Sequence, residues 1–225
     1  MTLFGIGAVL LVVAFRLGFG MYSSFILVPE YVETPEHLGY GFGASVTGAG
    51  LFLLPSTLTM LVVGAQTGRL EKRFGSKPPL LAGALLAMVS YFMLTFAREQ
   101  PWQVYLAAAI LGAGIGLAFA AMVNLIIENV GPGETGIATG MNTVTRTVGG
   151  AFGGSATASV LASTVTGGYP TDHGYTIAFA LCAAALAVGS LVGLLIPQRR
   201  PADAFAAHQA GDLPPGLAAD GEPQA

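Results

Sequence analysis

Charge spacing constrains this chain more than any other feature: residues 38–68, 78–97, 100–127, 147–171 and 174–198 contain no acidic or basic side chain. Each run is long enough to cross a bilayer, which takes about 20 apolar residues. Residues 3–29 form a further run broken only by Arg16, and the fourth run extends back to Thr135 if Arg146 is tolerated. The pattern predicts an all-α membrane protein with six transmembrane helices near 3–29, 44–67, 78–97, 102–127, 135–165 and 174–197. The composition agrees: 53% of residues are hydrophobic and 9% charged, against roughly a quarter charged in soluble domains. Met1 to Leu11 carries no basic residue, so the first segment reads as a permanent span and not as a cleaved signal peptide. The expected organisation is a bundle over 1–197 and a tail over 198–225. The tail is rich in Pro, Ala, Gly and acidic residues and is expected to be disordered.

Several function classes fall away. A formal charge of −3 does not supply the basic surface that nucleic acid requires. Cys182 is the single cysteine, and His37, His173 and His208 are far apart, so neither a disulfide framework nor a clustered metal site is expected, and no cofactor is implied. Gly112, Gly114 and Gly116 imitate part of a nucleotide loop, but their surroundings are uniformly apolar. Ser155 and His173 could suggest an embedded serine protease; the histidine belongs to a loop or helix edge, and catalysis needs both groups at one depth. No enzymatic activity is expected.

Fixed positive charge sets the orientation, because Lys and Arg beside a span resist translocation. Arg69, Lys72, Arg73 and Lys77 lie between the second and third spans, and Arg199 and Arg200 follow the sixth, whereas Arg98 stands alone on the other side. Both termini are therefore expected in the cytoplasm of a multi-pass cell-membrane protein. The acidic loop with Glu30, Glu33, Glu36 and His37 faces outward.

Polar residues inside a span need other helices or a water-filled cavity. Spans three and six carry few and read as peripheral. In span five, Thr135, Thr139, Asn142 and Arg146 share one face at about 100° per residue. Arg146 lies roughly 16 Å along the helix, too deep to snorkel. In span one, Arg16 shares a face with Gly20 and Ser23 near the centre. Either arginine can face a substrate path or lock helix packing by pairing with backbone carbonyls. In span four, Asn124 and Glu128 are one turn apart; Glu128 is a candidate for proton coupling or an ordinary charge at a helix end, and no other carboxylate is expected to be buried. The pairs Gly112/Gly116, Gly136/Gly140, Gly149/Gly153 and Gly150/Gly154 match close helix packing. Pro55 interrupts the hydrogen-bond ladder of span two.

The segment Gly64 to Lys77 resembles the cytoplasmic signature of the major facilitator superfamily, Gly-x-Leu-x-Asp-Arg-x-Gly-Arg-Lys. Gly68, Leu70, Arg73, Gly75 and Lys77 match it, with Arg69 at a variable position; Lys72 replaces the aspartate and Ser76 a base. The Leu54-Pro55 step, the run Leu111 to Leu117 and the segment Gly136 to Gly150 extend the resemblance over about residues 3–197. Together they are similar to the carboxyl-terminal half of fourteen-helix drug:proton antiporters of the EmrB/QacA type. The resemblance implies two inverted three-helix repeats, with substrate near the midplane between halves. It also implies that spans one and four line the cavity, two and five flank it, and three and six face lipid. The usual proton-coupling carboxylates would lie in a second six-helix half.

The implied function is proton-driven export of small amphipathic compounds, with the bilayer, protons and a second six-helix half as partners. The cavity candidates are Arg146, Asn142, Arg16 and Asn124. A fragment, a split-gene product and a self-associating half all fit the sequence. The rival reading is a non-transporting membrane remnant or a partner that packs through its glycine faces.

Overall fold

A computed structural model describes residues 3–130 and 133–194. The expected tail over 198–225, with Arg199, Arg200 and His208, lies outside the described residues. Among these residues the chain forms six α-helices: α1 (Leu3–Glu33), α2 (Val46–Phe74), α3 (Lys77–Phe96), α4 (Pro101–Asn129), α5 (Thr135–Ser163) and α6 (Asp172–Leu194). A short 3-10 turn, Glu36–Leu38, follows α1, and a two-strand hairpin, β1 (Val165–Thr166) with β2 (Tyr169–Pro170), joins α5 to α6.

Local chemistry places the helix ends. The Ser45 side chain accepts the Gly48 N–H at the start of α2, and Gln100 and Gln103 close a reciprocal capping box before α4, satisfying orphan amide donors. The basic segment between spans two and three is helical and not a loop: α2 continues to Phe74 and stops at Gly75, with φ 80°. Charge does not end a helix, and no residue before Gly75 forces the chain out of one. Glu30 and Glu33 likewise sit on the last turns of α1, past Pro29.

Among the described residues four helical segments are long and apolar enough to cross a membrane: Leu10–Glu33, Val46–Phe74, Lys77–Phe96 and Pro101–Ile127. The apolar stretch described in α6, Asp172–Val188, is shorter. Helix α5 has 29 residues but is rich in threonine, serine and glycine.

Helix α1 packs along α5 and α2 along α4, while α3 lies against α4 and α6, and α6 also rests on α1. The main interfaces are backbone against backbone. A Cβ at Gly149 would fall on the Phe15 carbonyl, 2.8 Å from its Cα, and one at Gly116 would stand 2.7 Å from the Met60 carbonyl oxygen. Only glycine allows helices this close. The two interfaces match in register: Gly18 meets the Arg146 carbonyl as Gly112 meets that of Ser56, and Gly149 lies on Phe15 O where Thr59 Oγ1 donates to Ala109 O. Gly136 and Gly140 do not follow the expected packing, since a Cβ at either would meet open space.

The core has two parts. At the acidic end, Leu27, Tyr31, Tyr91, Tyr175, Phe179 and Cys182 pack together; at the basic end, Val13, Leu17, Leu80, Ala118 and Met122 do so. Buried Arg98 clamps the acidic end. Its guanidinium donates to the carbonyls of Leu94 and Thr95 at 2.9 Å, to Asp172 Oδ1 at 2.6 Å and to Thr176 Oγ1 at 2.7 Å. It also lies 5.4 Å from the Tyr31 ring centroid, and the Tyr31 hydroxyl donates to the Arg98 carbonyl. One side chain thus satisfies the carboxyl end of α3, the start of α6 and a face of α1.

Candidate substrate face

The polar stripe of α5 exists as a continuous face. Thr135, Thr139, Asn142 and Arg146 lead into Gly149 and Gly153, which press on α1. Asn142 is buried, Arg146 half-buried. The Arg146 guanidinium stands 4.3 Å from the ring centroid of Phe119 on α4, a cation–π arrangement that steadies the charge while leaving its N–H donors available.

Beside this stripe, α4 and α5 border a hollow of about 780 Å³ at the basic end, with Ile127, Thr139, Gly140, Thr143 and Val144 among its lining. Thr143 and Thr147 are exposed, and their hydroxyls donate to the carbonyls of Thr139 and Thr143 at 3.0 Å. Their oxygens can still accept from a solute. These two residues were missed by the reading at three- and four-residue intervals, although the strict four-residue repeat Thr135, Thr139, Thr143, Thr147 is visible in the sequence.

The four expected cavity residues are not gathered at one place. Arg16 is 4% exposed and donates to the Leu186 carbonyl at 2.8 Å and to Ser190 Oγ at 3.1 Å, so it joins α1 to α6. Asn124 donates through Nδ2 to Glu71 Oε2 and ties α4 to α2. Glu71 is itself buried, against the expectation that no carboxylate but Glu128 is buried, because α2 runs on to Phe74 and carries Glu71 against α4. Glu128 lies in the last turn of α4, and its side chain is outside the described residues. Of the signature residues, Gly68, Arg69 and Arg73 lie on the last turns of α2, Gly75 ends that helix, and Lys77 opens α3.

A bundle of long apolar helices with one polar, half-open helix face is the build of a polytopic membrane protein. The chain belongs to the major facilitator superfamily, whose family model matches residues 10–217. It is 38% identical over 136 residues to an uncharacterized MFS-type transporter of Mycobacterium tuberculosis, covering 59% of this chain and 19% of that protein. It is 26% identical over 124 residues to the multidrug resistance protein Stp of the same species, covering 55% and 22%. It is 29% identical over 128 residues to the methylenomycin A resistance protein of Streptomyces coelicolor, covering 56% and 26%. Among solved structures, a peptide transporter POT in complex with sulfate superposes with a TM-score of 0.70 at 16% identity, over 92% of this chain and 43% of that one. That likeness concerns the fold. The chain thus spans about a fifth to a quarter of these curated relatives.

Proposed function

We propose that the chain forms the carboxyl-terminal six-helix half of a proton-coupled exporter of small amphipathic compounds, as in fourteen-helix drug:proton antiporters, set in the cell membrane with both termini cytoplasmic. The observation that carries this reading is the α5 face: Arg146 held over Phe119, with Asn142, Thr143 and Thr147 on the same helix beside an open hollow. A guanidinium in a span calls for a wetted, protein-lined setting, and amphipathic solutes need aromatic surface together with a few polar contacts. The names of the multidrug and methylenomycin resistance relatives support export as the direction. The matched registers of the α1–α5 and α2–α4 interfaces support two inverted three-helix repeats. Gly136 and Gly140, open to close approach, suit docking of a second six-helix bundle. In this reading Arg146 and Asn142 touch substrate, Arg16 and Asn124 hold helices in place, and Glu128 is this chain's candidate for proton coupling.

Replacing Arg146 by Ala in the assembled transporter abolishes or redirects export at normal membrane abundance; unchanged export removes Arg146 from the path. The same open glycine pair also favours a second reading, a non-transporting helix-packing partner. Purified chain in inverted vesicles discriminates: proton-dependent uptake, alone or with an added second bundle, supports the exporter, and none under either condition supports the packing partner.

A further inference from the structure

A second concavity lies away from the substrate face. At the basic end, α2 and α4 border a groove of about 400 Å³. Its walls combine Val63, Leu70 and Leu117 with Gln66, Arg69 and Arg73. On α4, Leu117 and Phe119 are two residues apart, about 200° around the helix. The groove therefore opens on the side of α4 opposite Arg146. On α2, Gln66, Arg69 and Arg73 fall on successive turns of one face. The Arg73 guanidinium stands 5.4 Å from the Phe74 ring centroid, which holds it at the groove margin. Among the described residues neither Arg69 nor Arg73 has an ion-pair partner, and the neighbouring carboxylate, Glu71, is turned toward Asn124.

Two guanidinium groups without an ion-pair partner among the described residues, above an apolar trough, complement a monoanionic headgroup with a hydrocarbon chain. A guanidinium fork suits phosphate oxygens, and a basic pocket between helices on the cytoplasmic side is a setting for anionic headgroups. We propose that this groove binds an anionic phospholipid of the cytoplasmic leaflet, with its phosphate between Arg69 and Arg73 and an acyl chain along Val63, Leu70 and Leu117. The inference rests on the membrane setting and on the basic end facing the cytoplasm, and not on export; lipid retention and transport are read separately, so either can fail alone.

Native mass spectrometry of the full chain, with phosphatidylglycerol and phosphatidylcholine added in neutral detergent, tests it. Phosphatidylglycerol should stay bound under activation that strips phosphatidylcholine. Each of Arg69→Gln and Arg73→Gln should weaken retention about fivefold and the pair about thirtyfold, while Lys72→Gln, which removes the same charge from a side chain that does not line the groove, should weaken it by less than either. Variants are compared only where the buried Cys182 thiol stays masked from a thiol dye, which certifies the fold; the single variants serve if the double does not fold. Equal retention of both lipids, an equal loss in Lys72→Gln, or displacement by millimolar inorganic phosphate would overturn the lipid assignment. So would crosslinking from a cysteine at position 70 to a second helical bundle with lipid excluded, since the groove would then be a protein interface.

Discussion

Placing a methyl group at Gly149 tests the packing that sets every other distance in the bundle. The added Cβ would fall on the Phe15 carbonyl, 2.8 Å from its Cα. Carbon atoms settle at about 3.5–4.0 Å, so α1 and α5 must part by roughly 1 Å at this point. One turn further, Gly153 lies against the Phe19 backbone and loses its contacts as well. Overpacking of this kind costs about 1–3 kcal/mol, partly offset because Ala exceeds Gly in helix propensity by about 1 kcal/mol. The backbone-to-backbone contact leaves no flexible atom to yield, so the upper part of the range is expected. For a domain of this size each kcal/mol shifts the midpoint by about 2–4 °C, giving a drop of about 2–8 °C. The lone cysteine is the reporter: Cys182 is fully buried, and a thiol-reactive dye in detergent records its unmasking on heating. Gly140→Ala, on the same helix and facing open space, is the control and should be neutral or slightly stabilising. A midpoint for Gly149→Ala equal to or above that of Gly140→Ala would refute the close packing of α1 on α5.

Removing the Arg98 clamp with Arg98→Ala should cost about 2–4 kcal/mol by the same assay, since several charge-assisted hydrogen bonds go together; Asp172 is 52% exposed, so little of this is a stranded carboxylate. Arg98→Lys should recover less than half, because an ammonium cannot reproduce the fork that spans α3 and α6. Asn124→Leu withdraws a donor from buried Glu71 and should cost about 1–3 kcal/mol, whereas Glu71→Gln keeps an acceptor for Asn124 and should leave that contact in place. Arg16→Gln should lower the midpoint through lost contact with α6 while leaving substrate affinity of the assembled transporter unchanged; a selective affinity loss would return Arg16 to the path.

The helices were legible because their apolar runs are long, and the polar face of α5 because its spacing repeats at the helical period. The end of α2 was not: cutting at charges stopped the span before Arg69, whereas the helix ends at Gly75. That same cut hid the buried Glu71. Periodicity shows which residues share a face but not which neighbour covers it, so Arg16 and Arg146 looked alike in sequence, and only the fold sends one to the α6 backbone and the other to Phe119. Likewise Gly136/Gly140 and Gly149/Gly153 have the same spacing, and among the described residues the second pair meets a helix while the first does not. The Arg98 clamp depends on Asp172 in a distant segment, a pairing that local spacing does not carry.

The most direct test is water accessibility at the α5 face. Single cysteines at Thr143 and Arg146, in a chain with Cys182 replaced by Ala, are exposed in native membranes to a charged, membrane-impermeant thiol reagent from the cytoplasmic side, with a cysteine at Leu85 on the exposed apolar face of α3 as comparison. Positions 143 and 146 should react, and position 143, where Arg146 is retained, should be protected by transported compound, while position 85 stays silent. Silence at 143 and 146, or labelling no different from position 85, would mean that no aqueous path runs along α5.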